Sequence, residues 1–346
     1  MDATLTDGVV RAGSGGRERF YDSRGYGRPV DAGAIELAPV EAAHLLYRGD
    51  LDAVIDDRDG ARMGFRALLA SAAVSETSFL VYKDLRDRGF YLSPAREGWA
   101  GDHDTGGDAD FLVFPRGEGP WGESVAYRVL VASERATVPA ATLGESVLAV
   151  VDEESEVTYF ETGRPDLGGS SAIDLPEGVA GDLLSDRVFL WDPPASLYDR
   201  GFYGQRLDEQ GEGTLQLSLL EAAYLARAGA LDVEGGAAAV VDRGREVEGD
   251  RFDRRLTVYT ALRERGIVPK TGFKFGADFR TYADVESIDD LGHSELLVRV
   301  LPGGHAFSPR DLALDVRLAH GVRKTMAFAL VDGDDVTWLS VERLTP

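Results

Sequence analysis

The chain has 346 residues, 44% of them apolar, and 60 Asp and Glu stand against 37 Lys and Arg, giving a formal net charge of −23. That length exceeds one ordinary core and predicts several domains. The absence of cysteine excludes disulfides, thiolate metal sites and a cysteine nucleophile, and no apolar run approaches the roughly 20 residues that span a bilayer.

The five histidines show no metal-ligand spacing, so neither a structural metal nor a cofactor is expected. Only four lysines occur, Lys83, Lys270, Lys274 and Lys324. An acidic surface ordinarily repels polyanions, but acid excess over lysine along the whole chain is also how proteins stay soluble in strong salt, where long-range repulsion is screened. The charge then reports the solvent rather than the ligand. The N-terminus lacks a basic segment followed by an apolar one, so a cytoplasmic protein is expected.

Taken in chain order, the elements recur. YDSRGYG (21–27) returns as YDRGFYG (198–204), and VEAAHLLYRGDLD (40–52) as LEAAYLARAGALD (220–232). VYKDLRDRG (81–89) returns as VYTALRERG (258–266), and LAVVDEESEVTYFE from Leu148 as FALVDGDDVTWLSVE from Phe328. Four matches in one order at nearly constant offset predict a tandem duplication. Copy one divides into an N-terminal α/β subdomain, 1–72, and a catalytic-like subdomain, 73–165. A Gly, Ser and Pro-rich linker, 166–187, is expected to be exposed. Copy two repeats the pair as 188–248 and 249–346. In it, LSLLEAAYLARAG and RRLTVYTALRERG read as helices stopped by Gly229 and Gly266. GIVPKTGFKFG, SELLVRVLP, TMAFALVD and DVTWLSVERL read as strands. SPRDLALDVRLAHGVRK reads as a helix capped by Ser308, with Pro309 in its first turn and Asp311 completing a capping box. The fold class is α+β, each copy ending in a mixed, nuclease-like sheet.

The copies diverge most around Tyr282, His293 and Lys324. Counting back by the offset sets Gly144 against Lys324, and Asp108 is set against His293, with no tyrosine opposite Tyr282, so copy one lacks this chemistry. An RNA 2′-hydroxyl beside its own phosphate is an internal nucleophile and needs only a base, an acid and a cation. Histidine can protonate the leaving 5′-oxygen, and lysine can stabilise the extra charge on the phosphorane. Tyrosine, with a reference pKa of roughly 10, serves as base only if a nearby cation lowers it, and Lys324 is the obvious cation. Taken singly, each residue has a plain structural alternative: edge packing for the tyrosine, a strand start for the histidine, helix-end carbonyls for the lysine. Three of four lysines falling in this part of copy two is what raises them. Two other readings stay open. One is a metal-dependent nuclease using Asp278, Glu295 and Lys274; the other is a non-catalytic RNA-binding protein.

The blocks KTGFKFGADFRTY, HSELLV and VRLAHGVRKTMAFALVD, in that order, resemble the catalytic domain of the archaeal tRNA-splicing endonucleases, in the form that fuses two copies in one subunit. The resemblance implies that Tyr282, His293 and Lys324 are the catalytic triad. It further implies excision of introns from precursor tRNA by two cuts in a bulge-helix-bulge, leaving 2′,3′-cyclic phosphate and 5′-hydroxyl ends. It implies a homodimer, since two cuts need two sites and one chain supplies one. The acidic turn Asp152, Glu153, Glu154, Ser155, Glu156 resembles the loop that docks on the opposite subunit. Arg317, and less closely Arg343, resemble the arginines that sandwich a bulge base. The segment 283–292, ADVESIDDLG, is a departure expected to loop outward.

Overall fold

The computed structural model describes every residue except 32 and 208–212. Contacts group the chain into two compact units: Met1–Gly163 with Ala306–Leu312 and Arg343–Pro346, and Arg164–His305 with Ala313–Glu342. Each is α+β.

In the first unit, six short strands form a sheet in which Asp2–Thr6 pairs in parallel with Ala53–Asp56. Pro39–Tyr47 packs on it, and its apolar residues Ala42, Ala43 and Leu45 are fully buried. A longer helix, Glu76–Asp87, buries Phe79, Val81, Tyr82 and Leu85 against a second sheet. The strands of that sheet run in the order Leu92–Pro94, Phe111–Val113, Tyr127–Ser133, Val147–Val151, Val157–Gly163.

The second unit has the same order of parts. Leu219–Arg227 is capped by Ser218, whose hydroxyl and backbone N–H bond Glu221 reciprocally. Asp250–Glu264 buries Phe252, Leu256, Tyr259 and Leu262 against strands ordered Val268–Thr271, Phe279–Tyr282, Leu296–Pro302, Thr325–Asp332, Asp335–Leu344. Three of those strands match the sequence reading closely. The strand Phe279–Tyr282 and the helix Gly236–Glu248 do not appear in that reading. GFKFG was read as strand but forms a single 3-10 turn, Phe273–Phe275.

The repeated tyrosine–glycine motif has a physical cause. Gly27 and Gly204 both sit at positive φ, and a Cβ on either would fall 2.2 Å and 2.4 Å from the carbonyl oxygens of Glu36 and Gln216. Each donates its N–H to a buried carboxylate, Glu41 at 2.7 Å and Glu221 at 2.8 Å. The preceding Tyr26 and Tyr203 each lie under an arginine, Arg86 at 4.0 Å and Arg263 at 3.9 Å from the ring centre.

One expectation holds and one fails. The linker 166–187 is exposed as expected, with none of its residues buried, and it is also tied down: Gly169 donates to Arg265, Ser170 to Ala283 and Ser171 to Gly266, and Leu167, Ile173 and Leu175 pack on the second unit's core. The segment 283–292 does not loop outward. Val285 is buried, Ile288 and Leu291 pack with it, and the Val285 N–H bonds Ser171, while the acids Asp284, Glu286, Asp289 and Asp290 face water. Its alternating apolar residues outweigh its charge.

Candidate active site

Three neighbouring strands bring the candidate residues to one end of the second unit's sheet. Phe279–Tyr282 runs antiparallel to Leu296–Pro302, with Phe279 opposite Val298, so its last residue, Tyr282, lies at the end where that strand begins. His293 stands three residues before the strand, exposed. Leu296 pairs in parallel with Thr325, which sets Lys324 at the start of the next strand, at the same end. Strands lie about 4.8 Å apart, so the outer two carriers are separated by only about 10 Å of sheet, within reach of long side chains.

Local structure fixes each one. The helix Pro309–Gly321 closes with Arg323 in the left-handed region, and Lys324 donates its backbone N–H to Ala319 at 2.9 Å, a Schellman closure that delivers the lysine to the strand. The Lys324 ammonium donates to the backbone carbonyl of Ser294, the residue after His293. Burial and the charge of Arg280 hold the Lys324 pKa below its ordinary value. The Tyr282 ring is half-buried against Phe202, with centroids 5.8 Å apart.

Arg280 is the neighbour that sequence reasoning missed. It lies two residues before Tyr282 on the same strand face, its guanidinium carbon is 5.9 Å from the Tyr282 ring centre, and its Nε is buried without a hydrogen-bond partner among the described residues. Strand alternation over FRTY was the signal. Lys270, counted toward the site from its residue type, is structural: its ammonium donates to Glu221 at 2.8 Å and to the carbonyls of Phe202 and Gly204.

The carboxylates of the metal-dependent alternative are dispersed. Asp278 is buried, paired with Arg251 at 2.6 Å and Arg255 at 3.1 Å, and accepts the Val300 N–H at 2.8 Å. Glu295 and Lys274 are exposed, and no group of three or more His, Asp or Glu residues that could hold a metal forms among the described residues.

Arg317 is exposed on the helix leading to Lys324. Arg343, also exposed, is grouped with the first unit. The acidic turn joins Val151 to Val157. Asp152 is spent internally, accepting the N–H groups of Glu154 and Glu156 at 2.9 Å, and Glu153 contacts Arg135, which leaves Glu154 and Glu156 outward and unpaired in charge.

Strand register corrects one pairing between the copies. Val298 faces Ala327 and Phe279 as Val129 faces Val147 and Phe111. Counting from these pairs, Tyr282 answers to Phe114 and His293 to Ser124 rather than Asp108, because copy one has a longer loop before that strand, residues 95–110 against 272–278. Lys324 answers to Gly144, counting back from the hairpin pairs Val331–Val336 and Val151–Val157.

A sheet end carrying a phenol, an imidazole and an ammonium has the groups that acid–base chemistry needs. The family profile described as the tRNA intron endonuclease catalytic C-terminal domain matches residues 252–338, and the profile for the N-terminal domain of the same family matches twice, at 1–69 and 179–242. The chain is 66% identical to the tRNA-splicing endonuclease of Haloarcula marismortui and 59% identical to that of Haloferax volcanii, over the full length of both chains in each case. It is 39% identical to that of Methanosarcina mazei, over 97% of this chain and 96% of the relative. The chain belongs to the tRNA-intron endonuclease family and is an endonuclease. Its acidic composition agrees with its haloarchaeal relatives. Among the described residues, no helix is long and apolar enough to cross a membrane.

Proposed function

We propose that this endonuclease excises introns from precursor tRNA, cutting both junctions of a bulge-helix-bulge and leaving 2′,3′-cyclic phosphate and 5′-hydroxyl ends without a metal ion. The observation that carries this reading is the convergence of Tyr282, His293 and Lys324 on one end of three neighbouring strands inside the segment matched to the catalytic domain. Tyr282, with Arg280 beside its ring, takes the proton of the 2′-hydroxyl. His293 protonates the leaving 5′-oxygen, and Lys324 stabilises the phosphorane. Arg317 and Arg343 each stack a guanidinium plane on a splayed base.

The two units descend from a tandem duplication, with subdomains at 1–72, 73–165, 188–248 and 249–346 about the segment 166–187; the twofold match to the N-terminal profile supports this. One site per chain and two cuts per intron call for a homodimer in the cytoplasm. Asp152, Glu153, Glu154 and Glu156 dock on the partner's second copy. A cavity of about 460 Å³ there is bordered by Arg280, and by Arg255 and Lys270, which are already paired with Glu248 and Glu221. The test is incubation of the purified protein with intron-containing precursor tRNA in high potassium with chelator, beside His293→Ala. Two cuts with cyclic-phosphate ends, slowed severely in the variant, are expected; RNA left intact by the wild type until magnesium is added would replace the reading with a metal-dependent one.

A further inference from the structure

Phe273 is 86% exposed, the most exposed large hydrophobic side chain described, ahead of Trp191 at 57%. It is not on a loose loop. Its turn is closed by bonds from Phe275 to Gly272 at 2.8 Å and from Ala277 to Gly272 at 3.2 Å, and the Phe273 N–H bonds the Thr271 hydroxyl at 3.3 Å. The backbone therefore holds an aromatic ring out in water, which a core-forming residue has no reason to do.

The surroundings say what the ring is for. Lys274, one of only four lysines in the chain, is exposed beside it. The turn abuts the helix that carries Arg317: Leu318 Cδ1 lies 3.8 Å from the place a side chain on Gly276 would begin. On that helix and its cap, Leu314, Leu318 and Val322 are exposed at four-residue spacing, with Arg317 and Arg323 beside them. An apolar strip edged by Lys274, Arg317 and Arg323, in a chain of net charge −23, is a local complement to a polyanion with flat apolar faces. The corresponding loop of the first unit keeps its aromatic inside, with Trp99 buried under Arg28 at 5.0 Å.

We propose that Phe273 is a stacking platform for an unpaired base of the RNA substrate, with Lys274 on the adjoining phosphate. This rests on the functional reading above. Stacking is sequence-tolerant, and it keeps its strength in concentrated salt, where phosphate contacts weaken.

The test uses the full-length protein and precursor tRNA carrying 2-aminopurine at successive bulge positions, with binding followed by fluorescence in high potassium. Phe273→Ala should weaken binding about tenfold, the order of one lost base stack, and abolish quenching at one position; Phe273→Trp should keep both. The single-turnover rate at saturating RNA should stay as in the wild type. Affinity and quenching unchanged in Phe273→Ala would overturn the proposal, as would weakened binding that follows dissociation of an oligomer in sedimentation, since the ring would then be a contact between copies. RNA that fails to bind the wild type at all would instead remove the functional reading itself.

Discussion

The strand Phe279–Tyr282 and its counterpart Phe111–Val113, extended to Phe114, occupy the same place in two sheets of the same order, and they differ on one face. In the second unit that face carries Arg280 and Tyr282, with Lys270 paired opposite Arg280. In the first it carries Leu112 and Phe114, both fully buried, with Ser93 paired opposite Leu112. Two cations and a phenol hydroxyl have been exchanged for a small apolar cluster with Ala100. The connection between the parallel strands differs too: the helix Pro309–Gly321 leads to Lys324, whereas the first unit has one 3-10 turn, Ala140–Thr142, ending near Gly144. The fold tolerates either face because the opposite one, with Phe279 and Phe111 against the helix, holds the sheet in both. Chemistry is carried by a surface the core does not need.

The sharpest break of this comparison is at the histidine. His293→Ala should slow cleavage by about 10²- to 10⁴-fold, the usual worth of a positioned proton donor, whereas Ser124→Ala should leave the rate as it is. Single-turnover cleavage of precursor tRNA reads both, and equal losses would mean that the two units do not divide the work in this way.

The buried carboxylates make the same comparison in stability. Glu221 is buried, and burial alone would raise its pKa, yet Lys270 and two backbone N–H groups hold it below the ordinary value. Lys270→Met strands that charge and should destabilise the second unit by about 3–5 kcal/mol, read by denaturant titration at constant salt. Ser93→Ala, its counterpart, should change little, since Glu41 relies on the N–H groups of Gly27 and Ala38 instead.

Glu41 then has the opposite pH dependence. Burial without a lysine raises its pKa from 4.5 to about 7. Its protonated form is favoured by the fold, so stability is fullest below pH 4.5, falls as pH rises and levels off above about 7. The loss across that window is about 3 kcal/mol. Glu221, shifted the other way, contributes stability above its ordinary pKa that is lost as the pH falls. Denaturation midpoints between pH 4.5 and 8 should slope downward in the wild type and flatten in Glu41→Gln; an equal slope in the variant would place the titrating group elsewhere.

Much of this was legible in the sequence. The repeat, the helix stops at Gly229 and Gly266, and the strands Thr325–Asp332 and Asp335–Leu344 follow from local pattern, since each is bounded by residues whose backbone preference ends an element. What was hidden depends on partners far along the chain. The role of Lys270 is set by Glu221, 49 residues away, and composition cannot distinguish a lysine that neutralises a buried acid from one aimed at a phosphate. The counterpart of His293 was misjudged for a related reason: strand register, not sequence distance, decides which residues answer to one another, and the loop before Phe111–Val113 is longer than the one before Phe279–Tyr282.

The smallest expected effect is the most diagnostic of the exchanged face. Arg280→Leu gives the second unit the residue that the first already has there, so the strand should keep its register and packing with Leu297. Burial and Arg280 together lower the Lys324 pKa, so the lysine sheds its proton at a lower pH than usual. Removing the guanidinium should let Lys324 stay charged to higher pH, moving the alkaline limb of the pH–rate profile upward. The rate at neutral pH should fall about tenfold, because the charge developing on the phosphate loses a neighbouring cation. A merely structural arginine would lower the rate at every pH and leave the limb in place, whereas a displaced limb with modest loss of rate would tie Arg280 to the reacting groups.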